Sequence, residues 1–266
     1  MHQLKFWNGN KSLVRQQHEL QVITEISRTW GDQPWHIDND VTALPKADDE
    51  GNVLNGYADL TVTVAGNSKF AGRAKVVIEQ PIAKGLLGLR LLIIKRQRLA
   101  QFSNIHSLAD LKPLRAGIPA TWADAELFRA NGCHVVERGS FEQIFERLKC
   151  DEFDYVSLGA NEILDIYQNM AGDDPELIIE PTLMLYYPFP LVFYVAPNQL
   201  ALADMIRAGL NEIAGNGVLE QCFDDYYGFP VGQLNIHQRR AINLHNPLLQ
   251  GELADYQSPL MTNART

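Results

Sequence analysis

The sequence predicts an α/β protein, and three observations carry that prediction. From residue 114 to 195 short apolar stretches alternate with amphipathic stretches of about 10 residues, as βαβ units with a mostly parallel sheet require. Of 266 residues, 46% are hydrophobic and 21% charged, which excludes a disordered chain and leaves ample material for a core. No internal repeat or low-complexity segment interrupts the pattern. The length suits about two domains or one large one.

The elements read as follows. Residues 4–7 form a strand and Asn8-Gly9-Asn10 a turn. Ser12 caps a helix in which Leu13, Leu20, Ile23, Ile26 and Trp30 recur at helical spacing, and Gly31 ends it. Trp35, Ile37 and Val41 suggest a half-buried strand. The acidic, glycine-containing stretch 45–56 reads as a loop, and the β-branched run 58–65 as a strand. Residues 76–78 and 86–94 are two more extended apolar stretches. The alternation then places strands at 114–118, 135–137, 153–157, 177–179 and 191–195. The helices between them cover 123–130, the stretch carrying Phe141, Ile144, Phe145 and Leu148, and the stretch carrying Ile163, Ile166 and Tyr167. After Asn198 the chain turns helical through Leu202 to Ile213 and again over 218–227. The polar tail 230–266 is expected to be a trailing helix or arm over one lobe, fraying at its end.

Several function classes fall away. There are 23 Lys and Arg against 32 Asp and Glu, a net charge of −9, so a phosphate backbone has little to attract it and nucleic acid is not an expected partner. Three cysteines, Cys133, Cys150 and Cys222, are too few and too dispersed for a disulfide scaffold or a zinc site, and free thiols are expected. The seven His show no H-E-x-x-H and no i, i+4 pair, so neither a metal nor a cofactor is expected. No G-x-G-x-x-G, P-loop or G-x-S-x-G stands in the chain. The longest apolar run, residues 86–94, is broken by Gly88 and Arg90 and is too short to span a bilayer. No signal peptide is read at the start; the expectation is a cytosolic protein or a mature chain whose leader was removed.

What remains is a set of polar and aromatic residues at the ends of expected strands, where open α/β sheets bind ligands. Trp7 and Asn8 follow the first strand. Thr121, Trp122 and Asp124 follow the strand ending at Ile118. Asn161 follows the strand 153–157. For Trp122 core packing is an equal alternative, and for Asp124 and Asn161 helix capping is the stronger one. Arg73 and Arg90 sit among apolar stretches, where a guanidinium needs an anionic partner. That partner is either a ligand carboxylate or an internal acid, Glu79 or Asp59.

The order of motifs resembles the periplasmic solute-binding proteins of type II, in particular their amino-acid-binding group. The run Ser107-Leu108-Ala109-Asp110-Leu111-Lys112-Pro113-Leu114-Arg115-Ala116-Gly117 is similar to the opening of that family's second lobe. Phe141 to Leu148 followed by Glu152-Phe153-Asp154-Tyr155 resembles its helix and the strand after it, and Gly217 to Gly228 its closing helix. The tail 240–248 resembles that of transporter-type members carrying a Trp-x-Asp turn.

The resemblance implies two α/β lobes, each a mixed sheet flanked by helices, joined by two crossing strands near residues 93–96 and 193–196 and closing on a ligand. Lobe one would be 1–94 plus 196–266, with the tail as its helical arm, and lobe two 95–195. It implies non-enzymatic binding, in an interlobe cleft, of a small solute, anionic or amino-acid-like, for ABC-type uptake or signalling. The implied setting is the periplasm, and the implied partners are a transporter permease or a sensor kinase, with the protein itself a monomer. The ligand-binding residues would be Trp7, Asn8, Thr63, Arg73, Thr121, Trp122, Asp124 and Asn161, with Arg73 near the place of the family's carboxylate-binding Arg. The place of the acid that meets a ligand ammonium is taken by Gly159, which points away from an ordinary α-amino acid. Two rivals stand beside this reading: an enzyme of the cyclohexadienyl dehydratase type using Glu162 or Asp124, and an interaction module without a ligand.

Overall fold

The computed structural model describes residues 2–31, 34–120, 122, 124–172 and 174–261. Twelve strands are formed among them, in chain order β1 (His2–Trp7), β2 (Trp35–Asp40), β3 (Leu60–Val64), β4 (Val76–Ile78), β5 (Leu89–Lys95), β6 (Arg115–Ile118), β7 (His134–Glu137), β8 (Tyr155–Gly159), β9 (Leu177–Ile179), β10 (Leu183–Tyr186), β11 (Leu191–Val195) and β12 (Arg240–Asn243). The chain is α/β, and it divides into two compact units, Met1–Ala83 with Pro190–Phe229 and Lys84–Phe189 with Pro230–Thr266.

The first unit is built on a five-stranded sheet in the order β2-β1-β3-β11-β4. β1 runs parallel to β2 and β3, and β11 lies antiparallel to β3 and β4. The helix Leu13–Arg28 buries Val22, Ile23 and Ile26, whereas Leu13, at the start of the expected face, is exposed, and Leu200–Gly215 buries Leu202, Ile206, Leu210 and Ile213. The two helices meet closely at Gly209, where a Cβ would stand 2.6 Å from Thr29 Oγ1 and 2.9 Å from Ile26 Cγ2. A side chain there would force them apart. Val218–Phe223 continues into a single π-helical turn, Asp224–Gly228.

The second unit carries a seven-stranded sheet in the order β12-β10-β5-β8-β6-β7, with β9 also pairing β5. All seven residues of β5 are buried, Arg90 and Lys95 included, as its place inside the sheet requires. β6 is parallel to β7 and β8, so their carboxyl ends lie on one edge of the unit. The Asp of the Glu152-Phe153-Asp154 motif is a latch. Its carboxylate accepts from the Arg115 backbone N–H at 2.6 Å and from Arg115 Nη2 at 3.0 Å, and it pairs with Arg98.

The expected strand–helix alternation matches these elements in the main, and the differences are instructive. The stretch 45–56 contains a short helix, Ala47–Gly51. β10 lies in the run 181–195, where five aromatics and three prolines hide any period of two. The tail is not a helical arm of the first unit: it supplies β12, which pairs in parallel with β10 from Leu183↔Arg240 to Tyr186↔Asn243 and so belongs to the second unit. β5 and β11, expected as crossing strands, each lie inside a unit's own sheet. The chain passes between units at 83/84, 189/190 and 229/230, three times rather than twice.

Candidate functional site

In the second unit Arg90 of β5 stands opposite Gly159 of β8, and Leu92 opposite Ser157. Alternate residues of a strand share a face, so Arg90, Ser157 and Gly159 look to the same side of the sheet. Arg90 is 4% exposed. Its Nη2 lies 2.6 Å from Asp124 Oδ1 and donates to the Ser157 carbonyl at 3.2 Å. Asp124, the first residue of the helix Asp124–Ala130 that follows β6, also accepts from the Tyr187 hydroxyl. The sequence placed Arg90 against Glu79 or Asp59, both of which belong to the other unit. Asp124 comes beside it because β6 and β5 flank β8. The Asp124 carboxylate thus serves Arg90 and Tyr187.

Burial pulls the Arg90 pKa down, but Asp124, and after it Tyr187 and Glu162, outweigh that and raise it. Burial pushes the Tyr187 phenol well above its ordinary value, so it stays protonated and donates to Asp124. The triad is internally neutral.

Around it lie buried polar atoms with no hydrogen-bond partner: Arg90 Nε, Ser157 Oγ, and both Nδ2 and Oδ1 of Asn161. Asn161 and Ser157 are 5% and 8% exposed. Asn161 does not cap the following helix, Ile163–Met170, whose N-cap is Glu162. Its amide instead fills the space beside Gly159, where a Cβ would stand 2.3 Å from Asn161 Oδ1 and 3.4 Å from Arg90 Nη1. A tight crevice at the carboxyl ends of β6 and β8 is lined by Gly117, Ile118, Pro119, Trp122, Asp124 and Ser157, among others, with Arg90 and Asn161 outside its lining. Trp122 is half-buried and stacks on Phe141, with ring centroids 5.3 Å apart at 26°. Thr121, named with it from the sequence, lies outside the described residues.

The remaining sequence candidates are in the first unit. Trp7 is buried and its indole N–H donates to the Thr42 carbonyl at 3.0 Å. Asn8 is buried and tied into the sheet and helix: Nδ2 donates to the Gln16 carbonyl at 2.8 Å, and Oδ1 accepts from Lys11 at 3.0 Å. Beside it the fully buried Glu19 takes Lys11 at 2.6 Å and Arg15 at 2.8 Å. Burial lowers the Lys11 pKa to about 8 in spite of Glu19. Thr63 Oγ1 accepts from Asn67 Nδ2 at 2.8 Å.

Arg73 is not among apolar strands. It lies on a loop, with Nε donating to the Lys69 carbonyl at 3.0 Å, Nη1 on Asn52, and Nη2 2.9 Å from the exposed Asp48. Its neighbours Ala71, Gly72 and Ala74 are exposed, as a sheet position would not be.

Sequence reasoning missed Ser157 and Tyr187. Ser157 carried a signal: it is a polar residue in an apolar strand, two places from a Gly, on the face that Arg90 shares. Tyr187 carried none that separates it from Tyr186.

Among the described residues no group of three or more His, Cys, Asp or Glu could hold a metal ion, and no helix is long and apolar enough to cross a membrane. No protein-family model and no curated protein matches the sequence. Solved structures do match in fold. An ancestral arginine-binding protein bound to arginine is 16% identical with a TM-score of 0.57, covering 86% of this chain and 99% of that one. The GluR0 ligand-binding core in complex with L-glutamate is 13% identical with a TM-score of 0.61, covering 86% and 99%. A periplasmic binding protein of Salmonella typhimurium with high arginine specificity is 13% identical with a TM-score of 0.56, covering 85% and 100%. The chain has the fold of the amino-acid-binding solute-binding proteins.

Proposed function

We propose that the protein binds a small solute without transforming it, for uptake or signalling, and that the strand end of the second unit takes part in the recognition. The observation that carries this reading is the convergence of unpartnered buried polar groups from Arg90, Ser157 and Asn161. Leaving a buried polar group unpaired costs about 1–3 kcal/mol, and a ligand that pairs these groups recovers it on binding. The shared fold supports the same reading. Trp122, Asp124 and Asn161 belong to this site, with Asp124 as the residue that orients Arg90. Trp7, Asn8 and Thr63 stand at or near strand ends of the first unit, each with its polar group engaged internally. Arg73, engaged by three internal acceptors, is left out. In this role the protein works in the periplasm as a monomer, delivering its solute to a transporter permease or a sensor kinase.

The reading is not enzymatic, since Asp124, one of the two acids that could serve as a base, is held between a guanidinium and a phenol. Native mass spectrometry of the chain purified without denaturation tests the proposal. A retained small molecule that exchanges unchanged is expected. No retained mass, together with no saturable heat from a library of amino acids, amides and organic acids, would remove it.

A further inference from the structure

Within that binding reading, we infer that the group received by the second unit is uncharged and amide-like, a planar edge presenting a hydrogen-bond donor beside an acceptor. The reasoning starts from which valences are open. Arg90 has spent its charge on Asp124 at 2.6 Å, and Asp124 accepts from Tyr187 as well. A ligand carboxylate brought here meets Asp124, and a ligand ammonium meets Arg90. Either charge would be desolvated beside a like charge, with no free counter-charge in the triad to offset it.

The open valences are of the neutral kind. Asn161 offers an N–H donor and a carbonyl acceptor on one planar edge, both buried and unpartnered. The edge that satisfies both at once is another amide edge, in a ring of two antiparallel N–H···O bonds. Ser157 Oγ can donate or accept, and Arg90 Nε adds one donor for a second lone pair of the ligand carbonyl. Gly159 is what lets the Asn161 amide stand here: a Cβ there would press within 2.3 Å of Asn161 Oδ1. Trp122 is a flat wall of the neighbouring crevice that Asp124 and Ser157 also line, suited to a planar group. Primary carboxamides, lactams and ureides share this chemistry.

The test uses three probes with one aryl ring: nicotinamide, nicotinate and 3-(aminomethyl)pyridine, which differ only in a neutral, anionic or cationic head. Each is titrated into the ¹⁵N-labelled full chain, following the Asn161 side-chain amide pair and the Trp122 indole. Nicotinamide should bind at least about ten-fold more tightly than either charged probe, the scale of one or two well-made hydrogen bonds. Asn161→Ala should lower nicotinamide affinity about ten-fold. The isosteric Asn161→Asp should invert the order in favour of the amine, with circular dichroism melts reporting on the fold. Should both variants fail to fold, the ranking of the three probes on the unaltered chain decides alone.

Equal or tighter binding of nicotinate or the amine, an unchanged order in Asn161→Asp, or no saturable shift with any probe overturns the inference. If that happens while the native chain still carries a retained small molecule, the amide class fails and the binding reading stands. If nothing is retained either, both fail.

Discussion

At Arg90 one guanidinium decides how a whole strand end is organised. It is buried in β5, and its ion pair with Asp124 and the Tyr187 hydroxyl behind that pair are the conditions under which it can stay there. Breaking a buried pair by removing one partner typically costs about 3–5 kcal/mol, because the other charge is left without compensation. Asp124→Ala should therefore lower the unfolding free energy by about 3 kcal/mol in urea titrations. Tyr187→Phe keeps the ion pair and loses one hydrogen bond to a carboxylate, so about 2 kcal/mol is expected. Arg73→Ala, on an exposed loop beside an exposed Asp48, should change stability by less than about 1 kcal/mol. If Arg73→Ala proves as costly as Asp124→Ala, the two arginines have been assigned to the wrong environments. The sequence already singled out Arg90 and Asn161, one as a charge in an apolar run and the other by its place after a strand. It could not pair Arg90 with Asp124, because that contact depends on β6 and β5 both neighbouring β8. Chain order alone does not state a strand order.

Among the elements, the helix Leu13–Arg28 carries a cost of its own. It buries His18 completely, at 0% exposure, with neither ring nitrogen hydrogen-bonded. The ring lies 5.0 Å from Tyr227 and 6.0 Å from Tyr226, with Glu19 and Arg15 as the charged neighbours. Burial lowers its pKa from 6.5 to about 4. Between those two values the unfolded chain binds a proton that the folded chain refuses, so stability falls as the pH drops from 6.5 towards 4 and is fully present above 6.5. The whole effect is on the order of 3 kcal/mol. His18→Phe keeps the ring and removes the titration. Urea midpoints of the two proteins should diverge between pH 7 and pH 4.5, the unaltered chain losing more, and parallel curves would show that His18 takes up its proton alike in the folded and unfolded chain.

The strand β12 is the element that periodicity could least reveal. Its four residues, Arg-Ala-Ile-Asn, hold one buried side chain, Ile242, and its partner β10 lies more than fifty residues earlier. The regular strand–helix alternation over 114–179 was legible because each strand there has its own apolar run and each helix its own spacing; a short strand added from the tail has neither. The pairing predicts slow hydrogen exchange at Arg240 and Leu244, whose N–H groups donate to Thr182 and Tyr186 at 2.8 and 2.7 Å. Ile242→Ala should cost about 2–4 kcal/mol and expose both amides. Fast exchange at both in the unaltered chain would mean that the tail does not complete the sheet.

At the scale of the whole molecule the three thiols report on the two units separately. Cys222 is buried in the first unit and Cys133 in the second, and burial raises each to about 11, while Cys150 is exposed. A thiolate is the reactive form, so under native conditions near neutral pH only Cys150 should label quickly. Each unit has its own sheet and its own core, which is the condition for opening as a separate cooperative body. Pulse labelling along a urea gradient, read by peptide mass spectrometry, should then show Cys222 and Cys133 losing protection at different denaturant concentrations. The order has a physical expectation too. The second unit carries the unpaired polar atoms of Arg90, Ser157 and Asn161, each a cost to its folded state and together more than the two ring nitrogens of His18 in the first, so Cys133 should become reactive first. A ligand that pairs those atoms removes that cost and should raise the Cys133 midpoint, by an amount that grows with the logarithm of its concentration. Coincident midpoints would show that the two units unfold as one, and a Cys133 midpoint unmoved by a bound solute would place that solute away from the second unit's pocket.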